Sequence, residues 1–132
     1  MTNNYNKMID RSIFLSKRAL NKEFVEVENG FGMYIQEMSG DDVEQLSKIA
    51  SGDKKPTNVE SLAIIIALCA VDEDNNKLFG LDDIKSIVDN NSITTISKLS
   101  DVAIKISKLN PNAVGEAKNN LKNDLIGNST SI

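Results

Sequence analysis

Apolar and polar positions change period along this chain, and the period assigns the element. Residues 5–20 hold Tyr5, Met8, Ile9, Ser12, Leu15 and Ala19 at helical spacing, with Ile13 and Phe14 widening the apolar face. This predicts a short helix, or an arm that becomes helical on docking. The pattern then shortens. Phe24, Val25 and Val27 are interleaved with Glu23, Glu26 and Glu28, and Asn29-Gly30 separates them from Met33, Tyr34 and Ile35. Asn-Gly between two β-favouring runs predicts a hairpin over 23–38, because both central turn positions need positive φ. Gly32 adds slack for a bulge.

Helical periodicity returns after Met38. Ser39-Gly40-Asp41-Asp42 supplies a cap and two acids for the positive first turn of a helix over 40–51, with Val43, Leu46, Ile49 and Ala50 as its apolar stripe. Thr57-Asn58-Val59-Glu60 reads as a capping box opening a helix over 58–71. That helix is apolar on every side from Leu62 to Val71, so it must be buried on every side. It is the expected centre of the domain, with a buried strand as the competing reading. Leu78-Phe79 returns to the core. A helix over 81–89 follows, carrying Leu81, Ile84, Ile87 and Val88. Ser92 caps another over 92–109, whose face holds Ile93, Ile96, Leu99, Val102, Ala103, Ile106 and Leu109. Asn110-Pro111 stops it. A last helix over 112–125 has a narrow stripe of Val114, Ala117, Leu121 and Leu125, weakened by Gly115. Residues 127–132 read as a disordered tail. The resulting expectation is a mainly α, α+β domain over 23–126, with an N-terminal β-hairpin packed on a bundle of about four to five helices.

Charge divides what the apolar pattern leaves uniform. Residues 1–22 carry Lys7, Arg11, Lys17, Arg18 and Lys22 against Asp10, while 23–53 carry eight acids against Lys48. A basic arm raises the question of nucleic acid. Two arginines in the whole chain make a sparse phosphate footprint, and an arm lying along the acidic block of its own chain or of a neighbouring copy is the better reading. The longest uncharged apolar run, 62–71, is about half of what a bilayer requires, and the start of the chain shows no apolar leader. No membrane or nucleic-acid partner is expected.

Candidate chemistry is thin. The chain has no His and a single Cys, Cys69, which reads as a small buried hydrophobe rather than a nucleophile. Asp41/Asp42 and Asp82/Asp83 both stand at helix starts, where the helix dipole accounts for them. The one metal-like pattern is Asp72-x-Asp74-x-Asn76, with Asp83 at position twelve, which begins as an EF-hand calcium loop does. Lys77 stands at position six where that loop needs Gly, and Asp83 is shorter than the usual bidentate Glu. Asp and Asn are also ordinary turn residues. No catalytic residue, metal or cofactor is expected, and a degenerate calcium module is the minor alternative. The narrow stripe of Val114, Leu121 and Leu125 is the candidate partner-binding surface.

The order of these signals resembles a known family. Glu23-Phe-Val-Glu-Val-Glu28 leads into Gly30-Phe-Gly32, then Met33-Tyr-Ile-Gln-Glu-Met-Ser-Gly40 and an acidic helix start. A buried helix runs into Ala67-Leu-Cys-Ala-Val-Asp-Glu-Asp74, then a turn into Leu78-Phe79. Ile96-x-x-Leu99 through Leu109-Asn110 closes the series. Over about 20–122 this resembles the tail assembly chaperones encoded before the tape-measure gene of long-tailed bacteriophages. The resemblance implies a non-enzymatic protein of the host cell cytoplasm that binds the tape measure protein and recruits the major tail-tube protein. It also implies absence from the finished particle, and it leaves a homo-oligomer open. The family's pattern carries no catalytic residues. A structural head–tail connector or minor tail component is the alternative within the same biology.

Overall fold

A computed structural model of the 132-residue chain describes residues 7–16 and 20–108. The helix over 112–125, with Val114, Leu121 and Leu125, and the tail over 127–132 lie outside the described residues. Within them the fold is α+β: helices around a three-stranded antiparallel sheet. In order these are α1 (Arg11–Leu15), β1 (Lys22–Glu28), β2 (Phe31–Gln36), α2 (Gly40–Ala50), α3 (Asn58–Cys69), β3 (Ala70–Val71), a 3-10 turn (Leu81–Asp83), α4 (Ile84–Asn90) and α5 (Ile93–Ser107). No helix among the described residues is long and apolar enough to cross a membrane.

The hairpin turns at Asn29-Gly30, with φ of 47° and 84°. Glu28 pairs with Phe31 and Glu26 with Gly32, so Val27 is the extra residue of a bulge in β1. The bulge lies opposite Gly32 rather than at it. Gly32 is required for a different reason: a Cβ there would collide with the Val25 carbonyl and lie 2.8 Å from the Glu26 Cα. On the outer face, Phe24 meets Tyr34 edge-on at 5.3 Å, and the Lys22 ammonium sits 4.5 Å from the Tyr34 ring centre. The inner face turns Val25 and Ile35 into the core.

Local capping starts the helices. Ser39 Oγ accepts from the Asp42 amide at 3.1 Å while Asp42 Oδ2 accepts from the Ser39 amide at 3.0 Å. Thr57 and Glu60 make the same reciprocal pair at the head of α3, at 3.1 and 2.8 Å. Ser92 Oγ accepts from the Thr95 amide at the head of α5. Helix α3 is the axle: every residue from Ala63 to Cys69 is buried, against α2, α4, α5 and β2. Ile66, Ile35 and Ile96 are almost completely enclosed and join these layers.

Several helix limits differ from those the periodicity gives. α3 ends at Cys69 rather than at residue 71, because Ala70 and Val71 turn extended and pair with Ile35 and Tyr34 of β2. The expected helix over 81–89 opens as a 3-10 turn. α5 stops at Ser107, where Lys108 adopts the left-handed conformation (φ 48°, ψ 45°). α1 occupies five residues of the expected 5–20 stretch and none of them is buried.

Candidate functional site

An open apolar cleft of about 470 Å³ lies beside the hairpin, α4 and α5. Five separate pieces of chain build it. The bulged end of the hairpin gives Val27 and Met33. Ile66 of the axle forms part of the floor, and the loop after β3 gives Leu78 and Phe79. Ser86, Ile87 and Asn90 come from α4, while Thr95, Ile96 and Leu99 come from the first half of α5. The bulge matters here, because it puts Val27 at the mouth and lets a tight two-residue turn close the hairpin beyond it. Leu78, expected in the core, is instead 42% exposed at this rim, and Phe79 is only partly buried. Phe31, Leu81 and Ile93 add exposed apolar surface on the hairpin and at the starts of the 3-10 turn and α5. The lining carries one carboxylate, Asp83, and no Lys or Arg. Asp83 Oδ2 accepts from the Gly80 amide at 2.8 Å, which holds the 3-10 turn that leads into α4.

No known family model, curated protein or solved structure matches this chain.

The acidic loop after the axle is a hairpin turn, which corrects the EF-hand-like reading. An EF-hand places a helix on each side of its loop, whereas here β3 precedes the loop and Val71 bridges to Lys77 across it. Asp72 spends its carboxylate on the turn. Its Oδ1 accepts from the amides of Asp74 at 2.8 Å and Asn76 at 2.9 Å. These contacts, the Asn76 amide foremost, hold its pKa below the usual carboxylate value. Asn75, at φ 69°, accepts at Oδ1 from both Lys22 Nζ and Gln36 Nε2, tying the turn to the sheet. Asp83 caps its own turn through Gly80. Among the described residues, no three His, Cys, Asp or Glu side chains come together as a metal group would.

Lys77, noted in the sequence only as an obstacle to calcium, has a structural task. Its ammonium lies 3.1 Å from Asp42 Oδ1 and donates to the Leu68 carbonyl. Asp42 is buried, so the pair joins the head of α2 to the tail of α3 and satisfies a carbonyl that the strand exit from α3 leaves without a helical donor. Cys69 lies alongside, fully buried. Burial, reinforced by the Asp42 charge, pushes its thiol up to about 12, so the thiolate is scarce at neutral pH.

The sequence-predicted residues therefore separate. Asp72, Asp74 and Asn76 form one exposed turn, Asp83 stands at the cleft, and Val114, Leu121 and Leu125 lie outside the described residues. The cleft itself was missed. Its only local signals were Leu78-Phe79 directly after a polar turn and the Val27–Gly32 irregularity in the hairpin.

Proposed function

We propose that this chain is a tail assembly chaperone of a long-tailed phage, which holds an apolar helical stretch of the tape measure protein and helps recruit tail-tube subunits. Two things support the reading. One is the order of sequence signals over 20–122. The other, which carries it, is the open cleft between hairpin, α4 and α5, apolar on its floor and rimmed by exposed Leu78. Apolar floors with a few polar groups at the edge suit the apolar face of an amphipathic helix. Met33 adds an adaptable surface in that lining. The single titratable lining group, Asp83, is engaged by backbone, which suits holding rather than turnover.

The test is binding of tape-measure fragments to the full chain, followed by calorimetry. The expected result is that at least one helical fragment binds. Leu78→Asp, a change at an exposed position, weakens it by more than about tenfold by placing a charge at an apolar contact. Failure of every fragment to bind overturns the reading.

A further inference from the structure

Besides the cleft, the molecule carries a second exposed apolar surface. In the N-terminal arm, Met8, Ile9, Ile13 and Leu15 are 92, 51, 52 and 63% exposed, and no residue of α1 is buried. Apolar side chains at this density on one short segment mark a contact surface. The arm is also opposite in charge to the rest. Residues 1–22 hold five basic groups against one acid, whereas 23–108 hold sixteen acids against eight bases. The one charged side chain that lines the cleft agrees in sign with the body: it is Asp83, and no Lys or Arg lines it.

From these two surfaces we infer that the arm of one copy docks in the cleft of another, so that the chain self-associates by arm exchange. Ile9, Ile13 and Leu15 enter the apolar cleft, and Lys7 and Arg11 meet Asp83 and the net acidic body around it. A second copy is the occupant rather than the chain's own arm, because within the single chain these side chains remain more than half exposed. Exchange of a terminal segment between identical chains needs no new surface, since each copy already owns both halves of the contact. The arm and a tape-measure helix would exclude one another from the cleft. The test nevertheless uses this chain alone, so its failure leaves the chaperone reading standing.

Two full-length variants, Ile13→Cys and a size-tagged Ser86→Cys, are mixed under mild oxidation. Ser86 lines the cleft and is exposed, while Cys69 is buried and stays silent. The expected product is a disulfide joining the two chains. In sedimentation equilibrium the unmodified chain runs above monomer mass, and Ile13→Asp raises the dissociation constant by more than about tenfold, with a melting curve unchanged in dilute solution where association does not contribute. A chain that stays monomeric at every concentration overturns the inference. So does assembly that survives Ile13→Asp, or a mixture that forms no 13–86 disulfide. A disulfide formed only within an Ile13→Cys/Ser86→Cys double variant assigns the cleft to the chain's own arm and overturns it equally.

Discussion

Helix α3 and the N-terminal arm are built from the same kinds of residue and meet opposite fates. From Ala63 to Val71 every residue is buried. Between Met8 and Leu15 four aliphatic side chains stand more than half exposed. Hydrophobicity alone does not separate them. α3 has twelve residues, a reciprocal cap at its head and four elements around it, so its apolar surface is removed from water on every side. α1 has five residues and a single Asp10 cap, and a helix that short is marginal without a partner. What distinguishes a core from a contact surface is the number of neighbours the topology delivers.

The same charge placed in each region should have very different consequences. Ile65→Asp places a carboxylate in the enclosed stretch. The expected loss is about 4 kcal/mol or more, enough to abolish cooperative melting followed by circular dichroism. A soluble Ile65→Asp variant with an unchanged transition would mean that α3 is not the axle.

A smaller effect tests how the two ends of that axle's surroundings are joined. Lys77→Met leaves the buried Asp42 carboxylate without its cation and the Leu68 carbonyl without its donor. Because the ammonium side of the pair is nearly half exposed, solvent screens the interaction and the expected cost is about 1–2 kcal/mol by urea unfolding. Adding Asp42→Asn keeps an oxygen for the Ser39 amide and removes the stranded charge, so the double variant regains part of the loss. A strictly additive pair would show that Lys77 and Asp42 do not interact.

Much of the scaffold is legible from local chemistry, and this explains both the successes and the gaps. Asn29-Gly30 announces its turn because two consecutive positive φ values admit few other residues. Ser39, Thr57 and Ser92 announce helix starts because a cap is completed within four residues. The end of α3 is not announced. Ala70 and Val71 leave the helix to pair with residues of β2 some 35 positions earlier, and no local preference encodes that partner. Lys77 and Asp42, also 35 apart, pose the same problem. The cleft is the extreme case, since side chains from five separate pieces of chain line it. The Asp72 pattern fails in the other direction: its residues are well chosen for calcium and equally well chosen for a turn, and only β3 before it and the Val71–Lys77 bridge across it decide between them.

That turn gives a test that leaves both regions intact. Asp72 has its folded pKa lowered from 3.8, chiefly by the Asn76 amide. Its contribution is therefore present above the unfolded value and lost as pH falls through the lower folded value. Melting temperatures of the unmodified chain and of Asp72→Ala should differ near neutral pH and converge as pH falls below the ordinary carboxylate value. A difference that persists unchanged into acid would show that the carboxylate charge is not what organises the turn.

The smallest effect is the most informative counterpart to Ile65→Asp. Ile13→Asp introduces an identical charge, also on a helix, at a position already half exposed to water. The carboxylate keeps its hydration, no cavity forms and no buried partner is stranded, so monomer stability should change by no more than about 0.5 kcal/mol. Measured in dilute solution, where association does not contribute, the two variants give the comparison a numerical form: several kcal/mol in the axle against a few tenths in the arm. A large loss from Ile13→Asp under those conditions would mean that the arm packs on its own domain, and that its exposed aliphatic side chains belong to the core rather than to a contact with another molecule.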